Sequence, residues 1–141
     1  MTKQTLSLFL AVASVLFFAP ALLASAPPGR YAISPLTVKD NRTGLIWQRS
    51  ATKFAYSQAD AVDYCAKLKI LDQSGWRLPT KHELETLVDI RVAAPGPTID
   101  PVAFPNTPGK PFWTSTKSMT VNFGIGSTLY EAPCHIRCVR Q

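Results

Sequence analysis

Three cysteines and two histidines are the side chains of this sequence best suited to chemistry: Cys65, Cys134, Cys138, His82 and His135. Cys134, His135 and Cys138 stand close together near the C-terminus, and thiolate with imidazole is a zinc donor set. Their spacing argues against such a site. On an extended segment Cys134 and Cys138 share one face while His135 projects from the other, and no fourth ligand has metal-like spacing. Cys-His-Ile-Arg-Cys also lacks the histidine after the second cysteine that haem attachment requires. His82 falls in the first turn of a predicted helix, where a solvated side chain accounts for it. Disulfide chemistry is what remains. In an oxidising compartment an odd number of cysteines implies one bridge and one leftover thiol. Cys134 and Cys138 do not suit each other, because an extended chain advances about 3.3 Å per residue and holds i and i+4 too far apart without a bend.

Other chemistries leave no trace. There is no Gly-x-Ser-x-Gly, no phosphate loop and no paired-carboxylate arrangement, so the sequence points away from an enzyme. Nor are oxygen ligands grouped for a hard cation, and no metal or cofactor is expected. Lys and Arg number 15 against 9 Asp and Glu. Setting aside Lys3, which belongs to the leader described next, the remainder carries 14 − 9 = +5. Without a Lys/Arg run or an aromatic ladder this excess is not a nucleic-acid signature. It suits acidic polysaccharide or an anionic surface.

Residues 1–26 read as a secretory signal peptide. Lys3 supplies the positive start, Leu6 to Phe18 is apolar apart from Ser7 and Ser14, and Pro20 precedes the small residues Ala21, Ala24, Ser25 and Ala26. The apolar run falls short of the roughly 20 residues that span a bilayer, so no stable membrane insertion is expected once the leader is cut. Ala24-Ser25-Ala26 has the small-x-small form but places Pro27 after the scissile bond; Ala19-Pro20-Ala21 competes with it. Residues 27–141 then form one domain by length, secreted or periplasmic.

Elements must position the cysteines. Ser57 begins a helix with Asp60 in its first turn, and Ala61, Tyr64, Cys65 and Leu68 line one face, so Cys65 points inward. Asp63 and Lys67 pair on the other face. A second helix follows Gly75-Trp76-Arg77-Leu78-Pro79: Trp76 and Leu78 alternate with Arg77 as a short buried strand, Pro79 ends it, and Thr80 with Glu83 makes a capping box. Leu84, Leu87 and Val88 give this helix its apolar face. Before the helices, Tyr31 to Lys39 is strand material with an edge or bend at Pro35. Asp40-Asn41-Arg42-Thr43-Gly44 is a turn, also matching a glycosylation sequon, and Leu45 to Arg49 returns as a hairpin strand. Arg91 to Pro111 is a proline-rich irregular loop that Ile99, Val102 and Phe104 can pin to the core. Phe112 to Thr116, Val121 to Phe123 and Ser127 to Tyr130 read as further strands. In the last strand Cys134, Ile136, Cys138 and Arg140 share one face, with His135, Arg137 and Val139 on the other. The Tyr31–Val38 strand is expected beside Ile136–Arg140, with Trp47, Trp76, Leu78 and Trp113 buried together.

Several of these stretches, in order, resemble the Lcl C-terminal domain family. They are Asp40-Asn41-Arg42-Thr43-Gly44-Leu45-Ile46-Trp47-Gln48-Arg49, Tyr64-Cys65, Gly75-Trp76-Arg77-Leu78-Pro79-Thr80, Ile99-Asp100-Pro101, Phe112-Trp113-Thr114-Ser115-Thr116 and Arg137-Cys138-Val139-Arg140. The resemblance covers nearly all of residues 27–141. It implies an α+β, C-type-lectin-like fold related to formylglycine-generating enzymes, with two helices flanking small antiparallel β-sheets, long irregular loops and neighbouring termini. It also implies exported proteins, some of them adhesins that bind glycans or host surfaces. Because Arg137-Cys138-Val139-Arg140 is the family-like element and Cys134 the extra, the resemblance implies a Cys65–Cys138 bridge. Cys134 then stays a thiol or links two copies. The copper-holding cysteine pair of the related enzymes has no counterpart once Cys138 is bonded, and neither Glu131-Ala132-Pro133 nor Val121-Asn122-Phe123 reproduces a lectin calcium motif. Only Lys117-Ser118-Met119-Thr120 stands where members carry a longer variable loop.

The expected function is therefore a non-enzymatic binding or adhesion module whose partner is an extracellular glycan or surface protein. Its expected contact surface is the loop from Arg91 to Pro111 with the turns at Lys117–Thr120 and Gly124–Ser127, where Arg91, Lys110 and Lys117 meet an acidic ligand. The rival is a degenerate relative of the formylglycine-generating enzymes with thiol chemistry at Cys134.

Overall fold

Asp40 sets the first turn of the chain. Its carboxylate accepts from the Arg42 amide (2.9 Å), its carbonyl accepts from the Gly44 amide (2.8 Å), and Gly44 takes the left-handed φ of 76° that closes the hairpin. The computed structural model describes residues 26–92, 96–125 and 133–141. The expected leader up to Ser25, residues 93–95 and Gly126–Ser127 of the expected contact surface, and the strand expected at Ser127–Tyr130 lie outside the described residues.

The strands on either side of this turn are β2 (Thr37–Asp40) and β3 (Ile46–Gln48), preceded by β1 (Tyr31–Ile33). All pair antiparallel, with Ala32 opposite Lys39 and Val38 opposite Trp47. Tyr31 to Lys39 is thus two strands, folded back at Ser34-Pro35-Leu36, where the Ser34 amide donates to the Thr37 carbonyl. Two helices follow, α1 (Gln58–Lys67) and α2 (Lys81–Glu85). A separate hairpin joins β4 (Pro111–Trp113) to β5 (Thr120–Asn122), and β6 (Val139–Arg140) ends the chain. The larger sheet has the order β1-β2-β3-β6.

That order corrects one expectation. The last strand lies beside β3, with Trp47 opposite Val139, and not beside the N-terminal strand. Both edges of β2 are filled by neighbours reached through short turns, which cost little loop entropy. The outer edge of β3 is what remains for a strand arriving from far along the chain. β1 and β6 accordingly sit on opposite edges of the sheet.

The segment 134–140 is the spine of the domain. Cys134 pairs with Tyr56, His135 with Pro111 and Trp113, Ile136 with Thr52, Cys138 with Gln48 and Val139 with Arg77, all through backbone hydrogen bonds. Each side of it meets its own apolar cluster. Cys134, Ile136 and Cys138 pack with Ala61, Cys65, Trp76, Leu78 and Trp113. Val139 packs instead with Val38, Trp47, Leu84, Phe104 and Phe112. The quartet Trp47, Trp76, Leu78 and Trp113 is buried as expected, but Trp47 belongs to the second cluster and the other three to the first.

Both helix starts follow from their caps. The Ser57 hydroxyl accepts from the Asp60 amide (3.2 Å), and α1 buries Ala61 and Cys65 with Tyr64 and Leu68 packed beside them. At α2, Thr80 Oγ1 accepts from the Glu83 amide (3.2 Å) while the Glu83 carboxylate accepts from the Thr80 amide (2.8 Å). The regular α-helix stops at Glu85, earlier than its apolar pattern implies. The Thr86 hydroxyl donates to the Glu83 carbonyl (2.6 Å), and Leu87 and Val88 continue in tighter i to i−3 turns. Leu84 and Leu87 are still buried. In the proline-rich loop Ile99 and Phe104 are buried as expected, while Val102 is half-buried.

Candidate functional site

Cys65 and Cys138 form a disulfide, with Cα atoms 5.6 Å apart and a sequence separation of 73. The α1 face brings Cys65 inward, and the spine brings Cys138 to meet it. Gln48 holds that junction: its Oε1 accepts from the Cys138 amide (3.1 Å) and its Nε2 contacts the Tyr64 hydroxyl (3.3 Å). Cys134 stands outside the bridge and is 1% exposed. His135 Nδ1 lies 2.9 Å from the Thr52 carbonyl, and its ring rests against Phe112. His82 is exposed in α2. Among the described residues no three His, Cys, Asp or Glu side chains are grouped to hold a metal.

Arg137 is the principal residue whose role the sequence left unread. Alternation puts it on the face opposite Cys138, with His135 and Val139, and there it is fully buried. Nη1 donates to the carbonyls of Gln48 (3.0 Å) and Arg49 (2.5 Å), Nη2 donates to the Thr107 hydroxyl (2.7 Å), and the guanidinium lies over the Phe104 ring at 4.6 Å. Burial pushes its pKa down to about 9, so it stays charged at neutral pH. It therefore fixes the proline-rich loop to the spine and to the end of β3. Val139 was the available clue: apolar residues on both faces of the last strand imply burial on both sides. Arg30 does similar work elsewhere, joining Asp40 (3.2 Å), which is fully buried, to the Thr86 carbonyl.

The three cations expected to meet a ligand are not one cluster. Arg91 is exposed, but its guanidinium grips the Asp89 carboxylate through two bonds of 2.9 and 2.8 Å. Lys110 precedes β4 and Lys117 lies in the connection beyond it, at opposite ends of that hairpin. Both are exposed. The connection bearing Lys117 is tightly held. Gln58 Nε2 donates to the Thr114 (2.8 Å) and Thr116 (3.0 Å) carbonyls, its Oε1 accepts from the Ser118 amide (3.2 Å), and the Ser115 amide donates to the Pro79 carbonyl (2.7 Å). Beside it runs an open groove of about 330 Å³ lined by Gln58, Ala59, Val62, Ser115 and Lys117. A second open groove, about 360 Å³, is walled by Pro27, Pro28, Arg30, Asn41 and Arg42.

Five carboxylates, buried and exposed, are matched by cations. Asp40, Asp63, Glu83, Glu85 and Asp89 each lie within 3.2 Å of an Arg or Lys nitrogen. The net positive charge is thus left to residues such as Lys110 and Lys117, whose ammonium groups face solvent. Among the described residues no helix is long and apolar enough to cross a membrane.

These features define a small α+β domain closed by one internal disulfide, with short antiparallel sheets and cations carried on its connections. The chain belongs to the Lcl C-terminal domain family, whose family model matches residues 36–140. No curated protein and no solved structure matches the chain.

Proposed function

We propose that the chain is an exported, non-enzymatic binding or adhesion module that engages an acidic polysaccharide or surface glycan. The observation that carries this reading is Lys117, an exposed cation on a connection pinned by Gln58 at the lip of an open groove. A recognition residue held on a stiff scaffold loses little conformational freedom when it binds. Lys110 adds charge at the other end of the hairpin. Arg91 contributes less, because Asp89 already neutralises it. The family membership and the α+β element order support a C-type-lectin-like arrangement, and the internal disulfide suits an oxidising compartment, secreted or periplasmic. Thiol chemistry at Cys134 fits less well, since a residue 1% exposed within an apolar cluster offers a reactant, or a second copy, no direct approach.

A glycan array with sulfated and uronic-acid polysaccharides, run with and without chelator, tests the ligand class. Retention of acidic glycans in both conditions is expected. Strict calcium dependence, or no retention of any acidic glycan at low salt, refutes the proposal.

A further inference from the structure

Asp100 lies in the proline-rich loop and is 2% exposed. Its Oδ1 accepts from the amides of Val102 (2.9 Å) and Ala103 (2.8 Å), which fixes the local turn. Its Oδ2 accepts from the backbone nitrogen of Ala26 at 2.7 Å, across 74 residues of sequence. Within an uncut chain all three donors are neutral amides. Arg91 is near enough to feel the Asp100 charge, but its guanidinium is engaged by Asp89. A buried carboxylate is costly without a compensating positive charge. The residue that touches Oδ2 sits where the secretory leader gives way to the domain.

We propose that hydrolysis of the Ser25–Ala26 peptide bond matures the chain, and that the ammonium group released at Ala26 forms a salt bridge with the buried Asp100 carboxylate. Water adds across the bond. The Ser25 carboxylate departs with residues 1–25, and the new Ala26 amine takes up a proton, since an α-amino group has an ordinary pKa of about 7.7–8.0. The cutting enzyme is a leader-cleaving protease of the export route, and the inference rests on the export reading given above.

The geometry separates this cut from its competitors. A cut after Ala26 would remove the donor and leave the ring nitrogen of Pro27, about 3.8 Å further along the chain. It would also require hydrolysis of an X–Pro bond. A cut after Ala21 would leave four residues ahead of Ala26 and keep its nitrogen a neutral amide. Ser25 is small, as the residue before a leader cut should be, and Ala26 carries no ring; Leu23, two residues before Ser25, departs from the small-x-small form. A cavity of about 110 Å³ beside the contact, walled by Ala26, Pro28, Tyr31, Asp100 and Ala103, gives water room to complete the hydrogen bonds of the ammonium.

The full chain, expressed in a bacterial host with its own leader and fractionated, is analysed by intact mass and N-terminal sequencing. An exported chain that begins at Ala26 is the expected result. An exported chain beginning at Leu22, Ser25 or Pro27 overturns this inference and leaves the export reading standing; an intracellular chain that retains its leader overturns both. On the mature protein, the pKa of the Ala26 amine is then followed by pH-dependent reductive methylation in the native and the urea-unfolded states. The charged groups that meet at Asp100 and Tyr31 are Asp100 itself, Arg30 with its partner Asp40, Arg42, and Arg91 with Asp89, and the Tyr31 hydroxyl is the neutral titratable group among them. A native pKa at least one unit above the unfolded value, a tenfold difference in proton affinity, is expected, with the rise abolished in Asp100→Asn. Equal values in the two states refute the salt bridge, whether or not that variant folds.

Discussion

Removing the Cys65–Cys138 bridge should cost a large share of the stability of this domain. In the double variant Cys65→Ala/Cys138→Ala the unfolded chain regains the freedom that a crosslink over 73 residues denies it. On the chain-entropy model that freedom is worth about 4 kcal/mol. A domain of this size has a total of roughly 5–15 kcal/mol to lose. The guanidinium midpoint should fall accordingly, and the melting temperature should drop by roughly 15–20 °C. The slope of the denaturation curve should steepen, because an uncrosslinked unfolded state exposes more surface. Cys134→Ala is the control: it removes one buried sulfur, leaves the bridge intact, and should cost only about 1 kcal/mol. A loss below about 1 kcal/mol in the double variant would refute the reasoning, as would a non-reducing peptide map joining Cys65 to Cys134.

Further expectations follow from individual contacts. Arg77 grips Glu83 through two bonds of 2.8 Å and holds its pKa down to about 2. A lowered carboxylate pKa stabilises the fold above the unfolded value near 4.3 and loses that contribution as pH falls towards 2. Because the Arg77 side chain is 43% exposed, screening reduces the effect to about 1 kcal/mol. Urea titrations between pH 6 and pH 2 should show this decline in the native chain and a smaller one in Glu83→Gln. Arg137→Ala should destabilise by about 3–5 kcal/mol in thermal melts, since it leaves the Gln48 and Arg49 carbonyls and the Thr107 hydroxyl without their buried donor. Arg137→Met, which keeps the packing against Phe104, should cost less. A Cβ at Gly124 would come within 2.6 Å of the Gly109 carbonyl oxygen, so Gly124→Ala should cost about 1–3 kcal/mol. Gly44→Ala meets no neighbour and should cost only the backbone strain of its positive φ, about 1 kcal/mol.

What the sequence made legible was local. The Thr80–Glu83 capping box, the Ser57 cap and the inward face of Ala61 and Cys65 depend on residues three or four apart, where periodicity and side-chain reach decide the outcome. The Trp76/Leu78 alternation is of the same kind. The Cys65–Cys138 pairing lay beyond such rules and came from the resemblance of Arg137-Cys138-Val139-Arg140 to a family element. Non-local competition hid the rest. Whether β6 joins β1 or β3 depends on which edge is still open when distant segments meet. Arg137 carries a formal charge that suggests solvent, and only the convergence of Gln48, Arg49, Thr107 and Phe104 makes its burial tolerable. Lys110 and Lys117 look close in sequence, yet a hairpin strand lies between them.

Exposed cations that meet an acidic glycan should bind it through screened charge, and the salt dependence of binding is the most direct measurement of that. Affinity for an immobilised sulfated polysaccharide should be measured across ionic strength for the native chain and for the variant Lys110→Ala/Lys117→Ala. The predicted result is binding that weakens steadily with salt, since exposed charges are screened beyond about 8 Å at physiological ionic strength, together with a shallower salt dependence and weaker binding in the variant. Binding that does not change with salt, or that survives unaltered in the variant, would contradict the account.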